Sequence, residues 1–146
     1  PELLSLRKPK KEVEKVEIYK GKEGIKTVYN DILRTTKEYY VLGATGQIAD
    51  HLRYYFPGHE KERIKKRIKL KLLFNKHLKG KVITKRKFAE IRYLPGKYTS
   101  PIPTTIYNNK IVILVWTTPS AIVIENKEIA KTYKSYFNLL WDISQK

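Results

Sequence analysis

Helical and strand periodicities take turns along the first hundred residues, but from Thr104 to Ile124 only strand patterns follow one another. This change constrains the fold more than any other feature. Ile25, Val28, Ile32 and Thr36 recur at three- and four-residue spacings, which predicts a helix. Tyr39 to Leu42 is a short apolar run bounded by Gly43 and Gly46, as expected of a buried strand. Ile48, Leu52 and Tyr55 mark a second helix, which Pro57-Gly58 is expected to stop. Residues 59–67 are again helix-like. Over Ile68 to Phe74, apolar Ile68, Leu70, Leu72 and Phe74 alternate with Lys69 and Lys71, the signature of a strand. A basic helix or loop covers Lys76 to Ala89, and Ile91 to Leu94 reads as extended. Thr104 to Tyr107 and Ile111 to Trp116 flank the turn-prone pair Asn108-Asn109 and predict a hairpin. Ala121 to Ile124 is a further strand. Asn126 then caps a last helix with the stripe Ile129, Tyr133, Phe137 and Leu140. The order predicts an α/β domain whose mixed sheet is parallel early and antiparallel late.

Residues 1–15 are charged and read as the end of a linker helix, with Val16 to Tyr19 a short strand or its continuation. Residues 16–146 suffice for one domain with a real core. No Met is present, and together with the linker-like start this leads us to expect a piece of a longer protein. No stretch approaches the roughly 20 apolar residues of a membrane span, and no signal-peptide pattern opens the chain. A cytoplasmic location and no membrane partner are therefore expected. The absence of cysteine excludes disulfides, Cys-ligated zinc and a thiol nucleophile.

The net charge is +17, carried by 24 Lys and only 7 Arg. Residues 58–87 hold 13 of these cations against two acids, Glu60 and Glu62, whereas residues 99–125 contain only Lys110 and Glu125. Such a window is either a solvated face or a surface for a phosphate backbone, with Lys65, Lys66, Arg67, Lys69 and Lys71 the candidate nucleic-acid contacts. No helix-turn-helix or zinc-finger signature accompanies it.

Chemistry-bearing motifs are missing. His51, His59 and His77 lack metal-ligand spacing, and no phosphate loop is present. Gly43-Ala-Thr-Gly46 is too short for a dinucleotide fingerprint, though it could present backbone N–H groups to a ligand. No serine sits in a nucleophile elbow, and no acid pair stands out. We expect no catalytic residue, no metal and no cofactor.

Several strings taken in order carry a resemblance: Gly24-Ile-Lys-Thr-Val-Tyr-Asn-Asp-Ile-Leu33, Glu38-Tyr-Tyr-Val-Leu-Gly43, Ile91-Arg-Tyr-Leu-Pro95, Pro103 to Leu114, Ala121-Ile-Val-Ile-Glu125 and Phe137-Asn-Leu-Leu-Trp141. From about Val16 to Trp141 the chain resembles the phospholipase-D-like regulatory domain of TrmB-family transcription regulators. Active phospholipase-D-like enzymes carry His-x-Lys-x-x-x-x-Asp before the hairpin. Aligned on that turn, this chain has Pro101, Pro103 and Asn108 instead, so both the nucleophile and the phosphate clamp are lacking. His59-Glu-Lys61 and His77-Leu-Lys79 repeat three letters of the motif, but Lys66 and Thr84 stand where its Asp would be.

The resemblance implies a phospholipase-D-like single half-domain, a homodimer, and DNA contact through a winged helix-turn-helix domain not present in this chain. It also implies a small-molecule effector. Family members that take maltose-like sugars carry a further C-terminal subdomain, so no sugar-contact residue is transferred. Gly43, Ala44, Thr45, Arg92, Thr117 and Thr118, near strand ends, are the candidate effector contacts. Two readings follow: a non-catalytic effector-sensing and dimerisation domain, or a direct nucleic-acid binder or divergent phosphodiesterase using residues 58–87.

Overall fold

The computed structural model describes residues 14–146. Most of the linker expected over residues 1–15 lies outside that range, and Lys15 already belongs to the first strand. Seven strands form one sheet: β1 (Lys15–Lys20), β2 (Glu38–Ala44), β3 (Lys69–Phe74), β4 (Ala89–Tyr93), β5 (Thr104–Tyr107), β6 (Lys110–Val115) and β7 (Ser120–Glu125). Their order is β1-β7-β6-β5-β2-β3-β4. β2, β3 and β4 are parallel, and every other pairing is antiparallel. The expected change of sense along the chain is therefore present. It falls at β2, which pairs with parallel β3 on one side and antiparallel β5 on the other.

Helices α1 (Gly21–Thr35), α2 (Gln47–His51) and α3 (Phe56–Lys65) precede β3, and α4 (Lys127–Ile143) closes the chain. α1 lies across β1 and β7 and meets α3. Ile25, Val28 and Ile32 on its inner stripe join Leu70, Leu72, Phe74, Val112 and Trp116 in the larger core. α4 covers β5, β6 and β2 from the opposite face, where Phe137 and Ala130 pack on Leu73, Ile106 and Ile111. Asn126 caps α4, its side-chain oxygen accepting the Ile129 N–H at 3.0 Å.

Two local expectations fail for physical reasons. Pro57 does not end a helix but stands in the first turn of α3, where its missing N–H costs nothing and its fixed φ suits entry. Ile129 is exposed rather than buried, because Ala130 takes the inward position in the first turn of α4, while Tyr133, Phe137 and Leu140 keep the expected stripe on the core. Gly43 has φ +74° at the register shift between Leu42 and Ala44, a backbone conformation that glycine takes without strain. The β5–β6 turn places Asn108 at φ +50°, the left-handed first position of a two-residue hairpin.

Candidate functional site

The parallel strands β2 and β3 end beneath α2 and the 3-10 turn Val82–Thr84. A cavity of about 40 Å³ opens there, walled by Tyr29, Tyr39, Phe56, Phe74, Ile83 and Trp116, with Thr45, Gln47 and Arg86 as its polar groups. Ligands of α/β sheets commonly lie at the carboxyl ends of strands, near the point where strand order reverses. At this size the cavity admits a small group rather than a sugar ring, since sites for drug-sized molecules run from about 300 Å³ upward.

One ion-pair node holds Arg86 at the rim. Glu60 accepts from Arg86 and from Arg63 Nε, the latter at 2.6 Å. Burial pushes the Glu60 carboxyl up, but the guanidinium of Arg86 and that of Arg63 more than reverse this, so it sits below its ordinary range. Burial pushes the Tyr39 phenol up to about 12, against the pull of Arg86. His59 lies beside this node, 3% exposed, between Tyr29 at 5.2 Å and Tyr55 at 5.8 Å between ring centroids. Neither of its nitrogens has a hydrogen-bond partner among the described residues. Burial, assisted by Arg86 and Arg63 against Glu60, lowers it from 6.5 to about 4, so this histidine is neutral at pH 7.

The six candidate effector contacts do not converge. Ala44 and Thr45 line the cavity. Gly43 is buried in the bulge before them, and Thr117 and Thr118 are exposed in the β6–β7 turn beyond Trp116. Arg92 points to the opposite face. It pairs in register with Leu73, donates to the Trp141 carbonyl at 2.7 Å and stacks 4.6 Å from that ring centroid. Sequence reasoning missed Arg86, Tyr29, Tyr39 and Trp116, along with His51, which stacks on Trp116 at 4.7 Å. Their common signal was only their mixture of aromatic and basic types, scattered over residues 29–116.

Pro103 is buried on the cavity wall, and its carbonyl accepts from Leu114 N–H at 3.2 Å. Pro101 is exposed just before β5. Asn108 lies at the far end of β5 and donates to Thr35 Oγ1 at 3.0 Å. No group at these three positions can attack phosphorus or carry positive charge to a phosphate. His77 is exposed beside Lys79, whose ammonium donates to the Lys146 carbonyl at 3.0 Å. Among the described residues, no group of three or more His, Cys, Asp or Glu side chains could hold a metal ion.

The basic window divides. Lys65, Lys66, Arg67 and Lys69 lie exposed where α3 turns into β3. Lys71 stands apart, paired with Glu90 at 3.6 Å and 5.1 Å from the Trp141 ring centroid. A second polar cluster ties α1 to the β5–β6 hairpin, with Asp31 accepting from Tyr107 Oη at 2.6 Å and Lys110 Nζ at 2.9 Å.

No protein-family model matches the chain, and no curated protein matches it in sequence. Solved structures do. TrmBL2, an archaeal chromatin protein with a novel mode of DNA binding, superposes with a TM-score of 0.62 at 24% identity. That match covers 99% of this chain and 60% of TrmBL2, so the chain spans about three-fifths of that protein's length. NucT from Helicobacter pylori gives a TM-score of 0.65 at 9% identity, over 91% of this chain and 99% of NucT. Nuc from Salmonella typhimurium, a phospholipase D family member, gives 0.62 at 12% identity, over 91% of this chain and 97% of Nuc. The chain thus has the phospholipase-D-like α/β fold, shared with a TrmB-like chromatin protein and with Nuc.

Proposed function

We propose that the chain is the non-catalytic effector-sensing and dimerisation domain of a TrmB-like prokaryotic transcription regulator. In this reading it works in the cytoplasm and reaches DNA through a winged helix-turn-helix domain outside this chain. The observation that carries the reading is Pro101 and Pro103 standing where a phospholipase-D-like enzyme needs its nucleophile and phosphate clamp. A fold kept while its chemistry is lost favours a binding role.

The effector enters at the cavity under α2, where Thr45, Gln47 and Arg86 supply its polar contacts and the aromatic walls exclude water. Arg92, Thr117 and Thr118 have no role in this reading, since their side chains serve α4 or face solvent. A single half-domain of this size favours a homodimer. Thermal denaturation against a panel of small carboxylates and inorganic phosphate tests effector binding. A ligand at 100 times its Kd stabilises by about 2.7 kcal/mol, and Gln47→Ala or Thr45→Val should abolish that gain. If no compound shifts the transition, or those variants leave the shift intact, the cavity is not the effector site. Light scattering at twice the 17.2 kDa chain mass is expected; a monomer would remove the dimerisation part.

A further inference from the structure

Among the described residues, Arg63 stands out as a charged side chain with 0% exposure. Its guanidinium binds Glu60 and donates to three backbone carbonyls: Ile68 at 2.9 Å, Phe88 at 2.8 Å and Lys87. Those carbonyls belong to two separate turns, one entering β3 and one entering β4. Each turn contains a residue other than glycine in the left-handed region, Arg67 at φ 56° and Phe88 at φ 53°. Such conformations persist only where the surroundings hold them. A third turn is fastened alongside, because the Lys69 N–H donates to the Lys37 carbonyl at 3.0 Å.

The outcome is a rigid ledge at the amino-terminal ends of β2, β3 and β4. Lys37, Lys65, Lys66, Arg67, Lys69 and Lys87 emerge there, all exposed. None forms an ion pair among the described residues. Glu90 pairs with Lys71, whereas Glu38, opposite Lys69 in the β2–β3 register, accepts from the Tyr40 hydroxyl at 2.6 Å and keeps its charge beside the ledge. Together with exposed Glu62 on α3 it offsets two of the six positive charges and leaves an excess of four. Solvated lysines need no buried arginine beneath them, and six like charges held on fixed turns repel one another unless an anion neutralises them. Three adjacent strand ends span about 10 Å, which suits a run of phosphates along one strand of a duplex rather than a single anion.

We infer that this ledge binds the phosphate backbone of double-stranded nucleic acid without reading its sequence. Such binding requires neither the effector cavity nor a winged-helix domain. The surface differs from the one expected from sequence, dropping Lys71 and adding Lys37 and Lys87.

Fluorescence anisotropy of the 146-residue chain with a random 30-base-pair DNA duplex, titrated with salt, tests it. Lys65→Gln, Lys69→Gln and Lys87→Gln are combined in one variant. The control variant combines Lys127→Gln, Lys131→Gln and Lys134→Gln on α4, removing equal charge elsewhere. All six positions are exposed, and circular dichroism checks that both variants keep the fold. The ledge variant should weaken binding at least 10-fold near 0.1 M salt. Its log–log salt slope should flatten by about 0.9 for each phosphate no longer neutralised, up to about 2.7. The control should change the slope by less than about 0.9. Equal effects in both variants would show attraction by net charge alone and overturn the inference. So would absence of duplex binding at low salt, or retention on anionic lipid vesicles at salt that frees the DNA.

Discussion

His59 places a measurable pH dependence on the stability of this domain. Its ring is buried without a hydrogen-bond partner among the described residues, and burial lowers it from 6.5 to about 4. Between those values the unfolded chain binds a proton that the native chain does not. Stability therefore rises with pH across this window, is fully present above about 6.5, and falls as the solution is acidified toward 4. The window spans roughly 2.5 pH units at about 1.36 kcal/mol each, so this one side chain should remove about 3 kcal/mol. His59→Phe keeps a ring against Tyr29 and Tyr55 while removing the titration and the two unpaired nitrogens. Urea denaturation at half-unit steps from pH 4.5 to 7.5, followed through Trp116 and Trp141 fluorescence, reads the slope directly. The variant should match or exceed the native chain at pH 7 and lose most of the slope below 6.5. Equal slopes in the two proteins would refute the assignment.

Two further outcomes follow from the packing. Arg63→Met strands three backbone carbonyls and releases two left-handed turns, so it should cost about 3–5 kcal/mol, seen as a fall in Tm of about 10 °C by calorimetry. A fall below about 2 °C would mean that the turns hold themselves. At Gly24 a Cβ would come within 2.6 Å of the Tyr19 carbonyl carbon on β1. Gly24→Ala should therefore cost about 1–3 kcal/mol in urea denaturation despite its better helix propensity, and a gain in stability would contradict the α1–β1 packing.

Much of the fold was legible because its local signals were strong. The alternation Ile68 to Phe74 marked β3, Asn108-Asn109 marked the hairpin and Asn126 marked the start of α4. Pro57 misled because proline is compatible with a helix start as well as a stop, and the choice depends on whether tertiary contacts continue the chain as a helix. The pairing of β1 with β7 spans some hundred residues and leaves no local trace. The candidate site was less legible for the same reason. Thr45 could be read from its place after β2, but Arg86 is held at the cavity by Glu60 and the Phe56 ring, and Arg92 is turned away by the pleat of β4. The buried role of Arg63 was hidden in a basic run where every cation looked equivalent.

A phospholipase-D-like fold with prolines in place of its nucleophile and phosphate clamp should carry no phosphodiesterase chemistry. Incubating the chain in excess chelator with bis-p-nitrophenyl phosphate, and with single- and double-stranded DNA, tests this most directly. No hydrolysis above the buffer blank is expected at any pH from 5 to 9. Turnover that scales with protein concentration and is abolished by His59→Ala or His77→Ala would contradict it.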